Sequence, residues 1–388
     1  DSYIGVKTTD NYAWYMTQSY VTENSATFYN TSTGASEKML VPGGVEVTFY
    51  LTINDDDSVV IRYEVAQEEV LAPSLTLNYP SLSFEDEILY NVYYAIDSTE
   101  NVVEMGLITF GERLENGTIT DAVDVIPGYV SSGTTYMVQS HGIPAKNLGD
   151  AVYFKVYAKL TDGSYVYTDI AGYHAVAYAN TVLNSNSSAK AKALVVAMLN
   201  YGAAAQEYFG YKTDSLMNAS LTAEQLALVS VYDESMVADV VKADPSKVGT
   251  FVMNGGYSNI FPTVSFEGAF AINYYFTPSN TVDDGLTFYY WDSATYNSVD
   301  VLTAENATGV LPMAQDGSNW GAAVAGIAAK QIDETIYVAG LYTSNGTSYC
   351  TNIIAYSLGQ YCKTVAANGE VFGAATAVYG YYAKAYFN

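Results

Sequence analysis

Histidine and cysteine are nearly absent from this sequence, with two of each in 388 residues. Only His141 and His174 are present, and no HExxH, CxxC, P-loop or GxSxG pattern accompanies them. A histidine-based triad or a zinc site needs more than this, so both read as incidental polar residues. Two cysteines cannot staple a disulfide-dependent scaffold. Positive charge is scarce as well: 15 Lys and Arg stand against 41 Asp and Glu, for a formal net charge of −26. Such a surface repels phosphate backbones, which argues against nucleic acid as a partner, and anionic membrane surfaces are disfavoured for the same reason. No apolar run reaches the roughly 18 residues that a membrane span needs. Charged residues amount to only 14%, but hydrophobic residues at 49% exclude a disordered acidic tail. The chain opens on Asp1 rather than Met, as a processed product would.

Tyrosine is in excess, with 38 copies. Its apolar ring and polar tip suit half-buried strands, interfaces and sugar-binding surfaces. A plain preference for tyrosine in strands explains the same count. Repetition is the second abundant feature. "YPSLSFEDEILYNVYYAI" from Tyr79 is echoed by "FPTVSFEGAFAINYYFTP" from Phe261. "GIPAKNLGDAVYFKVYAKLTDGSYVYTDIAGYHAVAYANTV" from Gly142 is echoed by "GIAAKQIDETIYVAGLYTSNGTSYCTNIIAYSLGQYCKTV" from Gly326. Gly142, Ala145, Lys146, Tyr153 and Tyr173 stand opposite Gly326, Ala329, Lys330, Tyr337 and Tyr356, and "MGLITF" at Met105 answers "DGLTFYYW" at Asp284.

Each unit closes on a helical pattern. Leu194, Met198, Tyr201, Ala205 and Tyr208 share one helix face, and Phe372, Thr376, Tyr379, Ala383 and Tyr386 repeat the same steps. Ser187 or Ser188, and Asn368, are the candidate N-caps. Tyr201-Gly202 and Tyr379-Gly380 fall at the same point. A mid-helix glycine costs about 1 kcal/mol, so its recurrence predicts close approach of another backbone, the sheet. Upstream the period is two: Tyr153, Lys155, Tyr157 and Lys159 face one way, and Phe154, Val156, Ala158 and Leu160 the other. Asp-Gly in "LTDGSY" and Asn-Gly in "TSNGTSY" mark hairpins. The expected fold is α+β and β-rich: tandem β-sandwich-like, Ig-like units, each followed by a helical hairpin. Residues 1–78 form an N-terminal β section that completes the first unit's sheet or stands alone, with a hairpin around Asn54-Asp55-Asp56-Asp57. Unit one spans 79–215, a helical connector 216–260, and unit two 261–388. Thr222 and Gln225 make a capping box in the connector, and Pro245 marks its stop.

Carboxylates are the only abundant acid–base groups. Glu85 and Glu267 recur within Ser-Phe-Glu, but no second acid recurs beside them, as paired-carboxylate hydrolysis requires. They read as turn residues, and no catalytic, cofactor or metal residue is assigned. Calcium at Asp55, Asp56 and Asp57 is the one cation site to weigh, against a solvated hairpin tip; Asp283-Asp284-Gly285 reads the same way. Trp14, Trp291 and Trp320, with neighbouring tyrosines, are candidates for stacking on sugar rings, against core packing. Aligning the repeats sets Cys350 opposite Tyr167, on a strand, and Cys362 opposite Ala179, on a helix. In an oxidising compartment a Cys350–Cys362 disulfide is expected, worth about 3 kcal/mol for so short a loop.

The phrases "GIPAKNLGDAVYFKVYAKLTDGSYVYT", "ALVVAMLNYGAAAQEYFGY" and "SFEGAFAINYYFTPSNTVDDGLTFYYWDSATYNSVDVLTAENATG" resemble Tyr-rich repeat modules of large secreted or cell-surface proteins of gut Clostridia-type Firmicutes. The resemblance covers residues 80–388 and implies an extracellular location with no defined catalytic residues. The expected function is therefore non-enzymatic contact at the cell surface. One form is self-assembly into a fibre or surface layer through the segment carrying Tyr3, Tyr12, Trp14, Tyr15 and Tyr20. The alternative is a glycan-binding adhesion module for polysaccharide capture. A secreted glycosidase rests on carboxylate abundance alone.

Overall fold

The computed structural model describes residues 2–4, 6–7, 14–16, 25–31, 39–41, 47–55, 59–65, 72–85, 87–253, 260–266, 269–277 and 285–388. The chain divides into two compact units, Asp1–Ala72 and Pro73–Asn388.

In the first unit, β1 (Ser2–Ile4), β2 (Val6–Lys7), β3 (Trp14–Met16), β4 (Ser25–Thr31), β5 (Met39–Val41), β6 (Val47–Ile53) and β7 (Val59–Val65) follow in order. β1 pairs with β5, and the rest form one sheet in the order β2-β3-β4-β7-β6. The expected hairpin is β6–β7, in register from Val47 opposite Val65 to Ile53 opposite Val59. Its alternation puts Ile61 and Tyr63 inside and Tyr50, Arg62 and Glu64 outside.

The second unit contains the repeat. Its first half runs β8 (Leu75–Ser83), β9 (Leu89–Ile96), β10 (Val102–Phe110), β11 (Asp124–Pro127), β12 (Val130–Ser132), β13 (Thr135–Gln139), β14 (Val152–Leu160), β15 (Tyr165–Tyr167), β16 (Ala171–Tyr173), α1 (Ala175–Leu183) and α2 (Ala189–Tyr208). After α3 (Ala223–Leu226) and β17 (Val252–Met253), the second half runs β18 (Phe261–Ser265), β19 (Phe270–Phe276), β20 (Thr287–Trp291), α4 (Ser293–Ser298), β21 (Gly309–Leu311), β22 (Ala314–Asp316), β23 (Asn319–Ile327), β24 (Ile336–Ser344), β25 (Thr347–Cys350), β26 (Ile354–Tyr356), α5 (Leu358–Ala367) and α6 (Val371–Phe387). Sheet order is the same in both. One sheet reads β12-β13-β9-β8 and its counterpart β22-β23-β19-β18. The other reads β11-β10-β14-β15 with β16 on β14, and its counterpart β21-β20-β24-β25 with β26 on β24, to which β17 adds a parallel strand beyond β25.

Alternation explains why two sheets pack together in each repeat. Val92, Tyr94 and Val138 from one sheet meet Met105, Leu107, Phe154, Val156 and Ala158 from the other in a single buried cluster. The face expected to carry Tyr153, Lys155 and Tyr157 is largely covered too. Tyr157 packs with Ile108, Phe110 and Ile170 under the 111–123 segment. Lys155 is buried there, its Nζ donating to the carbonyls of Glu115 and Gly117 at 2.7 and 3.1 Å. Those two bonds answer the cost of removing an ammonium from water.

The helical pairs of the two halves share one core. α2 is buried nearly all round, from Ala193 to Gln206, rather than along one face. Ser188 caps it, accepting from Ala191 N at 3.1 Å. Asn368, expected as an N-cap, instead ends α5, and α6 starts after Glu370. Gly202 and Gly380 do permit close packing, but against the turns that precede β14 and β24, not against the sheet. A Cβ on Gly202 would meet the Met217 thioether and lie 3.3 Å from Ala145 O, and one on Gly380 would lie 2.8 Å from Ile332 Cβ.

The connector is not the expected helix. Thr222 and Gln225 do form the capping box, at 3.2 and 2.9 Å, but α3 is one turn long. Pro245 opens a 3-10 turn instead of ending a helix. The connector's polar groups bond to the second repeat instead. Ala238 N donates to Asp333, Asp244 N to the Tyr296 hydroxyl, and Lys247 Nζ to the carbonyls of Tyr296 and Val299.

Gly380→Ala should destabilise the second unit by about 1 to 3 kcal/mol, because the branched Ile332 side chain cannot swing clear. Gly202→Ala should cost less, since the Met217 side chain is flexible and about 1 kcal/mol of helix propensity is regained. Urea denaturation of the two variants checks this, and the opposite ranking would refute it.

Candidate functional site

A cavity of about 610 Å3 opens at one end of the first repeat's sandwich. The end of β10 contributes Thr109, Phe110 and Gly111, and β11 contributes Asp124 and Ile126. The run Ser140–Pro144 crosses one side, Asn147 and Asp150–Tyr153 lead into β14, and Tyr211 and Lys212 arrive from beyond α2. Five separate segments therefore converge on one space.

Its polar groups are paired. His141 Nδ1 lies 2.7 Å from Asp124 Oδ2. Asp150 Oδ1 accepts from Lys212 Nζ at 2.6 Å, and Oδ2 accepts from the Tyr211 hydroxyl at 2.6 Å and from Asn147 Nδ2 at 2.9 Å. Burial pushes the Asp150 carboxyl up, but the hydrogen bonds from Lys212, Tyr211 and Asn147 outweigh it and hold its pKa below the ordinary value. The bond to Asp150 raises Lys212 in turn.

Lys212 has φ +46°, in the left-handed region that costs a non-glycine residue about 1–2 kcal/mol. Its ammonium also sits 5.2 Å from the Tyr211 ring centroid. The Asp150 bond, this ring contact and the tight turn at Gly210 (φ +62°) hold the strained residue in place. Strain held so is characteristic of working sites.

The residues singled out from sequence lie elsewhere. Trp291 is fully buried, its Nε1 donating to Asn306 Oδ1 at 3.0 Å, so it offers no ring to solvent. Trp320 is half-buried and packs on Phe276, ring centroids 6.4 Å apart. The reason is geometric: β20 is an inner strand whose two faces are both covered, and Trp320 on β23 leans into the shared core. Trp14 and Tyr15 lie on β3, hydrogen-bonded to β2 and β4, and Tyr3 lies on β1 opposite Leu40. These strands of the expected assembly segment are paired within their own unit; Tyr12 and Tyr20 lie outside the described residues. Asp55 is exposed at the hairpin tip, while Asp56 and Asp57, like Glu267, Asp283 and Asp284, lie outside the described residues. Among the described residues no cluster of three or more metal-ligating side chains occurs. Glu85 is exposed and pairs with Lys330 at 3.2 Å.

The expected disulfide is not formed in the structure. The alignment holds: Cys350 faces Leu341 as Tyr167 faces Tyr157, and Cys362 stands five residues beyond the cap Ser357 as Ala179 does beyond His174. Yet both cysteines are free and buried, in different clusters. Cys350 packs with Trp291 and Tyr337, its Sγ directed at Thr351 O at 3.1 Å, and Cys362 packs in the helical core. His174 has a role after all. It caps α1, its Nδ1 accepting from Ala177 N, where Ser357 caps α5.

No protein-family model matches this chain, and no curated protein sequence does. Sequence reasoning missed Asp124, Asp150, Tyr211 and Lys212 and set His141 aside as incidental, since apart from the adjacent Tyr211 and Lys212 they lie far apart in the chain. The usable signal was the contrast between repeats, since His141 and Asp124 have no polar counterpart in the second half.

Two outcomes follow from this chemistry. Burial lifts the Cys350 thiol to about 11 and Cys362 higher still. A thiol reagent near neutral pH should therefore label neither cysteine in the native protein and both after unreduced denaturation; no labelling after denaturation would restore the disulfide. For Asp150, a folded pKa below the ordinary 3.8 means its contribution is present above that value and lost as pH falls through the folded pKa. Asp150→Asn should be less stable than the parent at pH 7, and thermal melts should show the gap closing below pH of about 4. A gap that persisted in acid would mean that the charge is not what stabilises.

Proposed function

We propose that this chain is a non-enzymatic, extracellular bacterial cell-surface module that holds a glycan in the first repeat's cavity. The carrying observation is that cavity: an aromatic-walled space ringed by hydroxyl, amide and paired charged groups. Its size, about 610 Å3, falls in the range of small-molecule sites. Sugar rings present apolar C–H faces to aromatic side chains and hydroxyls to polar ones, and both partners are here. Its polar groups are matched in pairs, Asp124 with the His141 ring and Asp150 with Lys212, which favours a polyhydroxylated ligand over a bare ion.

Several observations support binding over catalysis. A glycosidase acid must be held protonated near neutral pH, whereas Asp150 is held ionised. The His141 ring is largely exposed and faces a carboxylate rather than a nucleophile. The sheet orders β8-β9-β13-β12 and β11-β10-β14-β15 support Ig-like units, since they follow the A-B-E-D and C′-C-F-G orders of immunoglobulin sandwiches. The resemblance to Tyr-rich surface modules supports the extracellular setting.

Self-association is the second reading. It is favoured by a stacked, exposed aromatic pair in each repeat, Tyr79 on Tyr93 and Phe261 on Tyr275.

Calorimetric titration with cellohexaose, xylohexaose, mannohexaose, laminarihexaose and mucin-released O-glycans tests the proposal. Binding of at least one at millimolar to micromolar Kd is expected, about −4 to −8 kcal/mol, with the sugar recovered intact. Absence of binding throughout, or hydrolysis of the bound sugar, would overturn it.

A further inference from the structure

The repeats diverge at one place, and the second repeat shows what fits there. Counting from Gly142 and Gly326, Asp150 corresponds to Glu334, Ala151 to Thr335 and Tyr153 to Tyr337. Strand register agrees, because Tyr153 faces Phe110 and Gly172 as Tyr337 faces Trp291 and Ala355. In the second repeat this corner is filled by α4, in the 292–308 segment between β20 and β21. Tyr296 lies flat on Tyr337, ring centroids 3.5 Å apart and planes within 7°. Ser293 N donates to Glu334 Oε1 at 2.9 Å, and Ser293 Oγ donates to the Thr335 carbonyl at 3.0 Å. One short segment thus supplies a ring for the tyrosine, a donor for the carboxylate and a hydroxyl for the next carbonyl.

In the first repeat the equivalent segment, 111–123, forms no helix and packs over Ile108 and Tyr157, in a cluster that Tyr153 also borders. Tyr153, Asp150 and Ala151 line the cavity. Tyr153 is braced from behind by Gly172, where a Cβ would come 2.8 Å from its Cε1. No other aromatic ring among the described residues stacks on it. Asp150 has accepted one bond on Oδ1 and two on Oδ2, so a carboxylate with about four acceptor sites has one left.

We infer that the cavity takes a pyranose ring stacked on Tyr153, with hydroxyls donated to the Asp150 carboxylate and the Ala151 carbonyl, the three contacts that Tyr296 and Ser293 make in the second repeat. This rests on the glycan reading above and adds the platform and pose. A sugar satisfies the site better than a tyrosine-bearing peptide does. Thr109, Ser140, Asn147 and His141 also border the space, and a polyol has hydroxyls for several of them where a tyrosine ring has one. The second repeat carries its own plug, so each chain holds one sugar.

The test uses the tightest binder of the five saccharides, titrated calorimetrically against the full chain and against Tyr153→Phe, Tyr153→Leu and Tyr153→Ala, each checked by circular dichroism. Tyr153→Phe should bind within threefold of the parent. Tyr153→Leu, which keeps apolar bulk but has no ring, and Tyr153→Ala should each weaken binding tenfold or more, with one site per chain throughout. If a saccharide binds and the ringless variants stay within twofold, the stacking platform is wrong while the glycan reading stands. Two sites per chain would overturn the self-plugged second repeat. If no saccharide binds but a synthetic peptide DSATYNS does, both readings fall and the cavity is a peptide site. If neither binds, both fall outright.

Discussion

Two tyrosines hold the second unit together. Tyr201 of α2 and Tyr379 of α6 stack with ring centroids 5.1 Å apart and planes within 13°. Phe372 stacks on Tyr201 as well, and Phe270 meets it edge-on. Each such pair is worth about 0.5–1.5 kcal/mol beyond the area it buries. α2 and α6 lie against each other here, and Gly202 and Gly380 let the turns before β14 and β24 press onto the same helices. Both repeats contribute to the core that results: Leu82, Phe84 and Ile143 from the first, Phe266, Ile327 and Ile332 from the second. The repeats are therefore parts of one body, and the cavity's floor near β14 is steadied by helices that the second repeat helps to bury.

Much of this architecture was legible in the residues. Period-two alternation gave the inner face of β14, the Asn-Asp run gave the β6–β7 hairpin, and the repeat alignment put Cys350 and Cys362 at the right positions. Where reading failed, the reasons are physical. The apolar spacing in 216–260 looks helical, but those side chains are spaced to meet the second repeat, and tertiary contacts overrode local preference. The phrase match of "MGLITF" with "DGLTFYYW" sets Gly106 on Gly285, whereas strand register sets it on Thr287. That slip of two residues preserves which face each side chain occupies, so it left the pattern intact while misplacing the pairs. Sequence cannot distinguish a tryptophan for solvent from one for the core, and Trp291 proved to be core. The cavity was illegible because Asp124, His141, Asp150 and Lys212 come from distant segments, and only the fold makes them neighbours.

The connector bears on the same contrast. By tying Asp244 and Lys247 to α4, it fixes the segment that fills the second repeat's corner. The first repeat has Tyr211 and Lys212 at its corner instead, arriving from beyond α2. One corner is closed by a segment inserted between strands, and the other is bordered by the chain continuing past its helix.

That Tyr201 stacks on its own counterpart bears on how the two halves meet. A residue that meets its equivalent lies on a two-fold axis, and self-complementary contact about such an axis is how identical subunits pair. The two halves thus meet through equivalent residues, as the subunits of a homodimer do. Fusion releases a dimer from the requirement that both halves change together. Within one chain, one half can carry a helix that seals its corner while the other keeps a corner open, an asymmetry that a dimer of identical chains cannot encode.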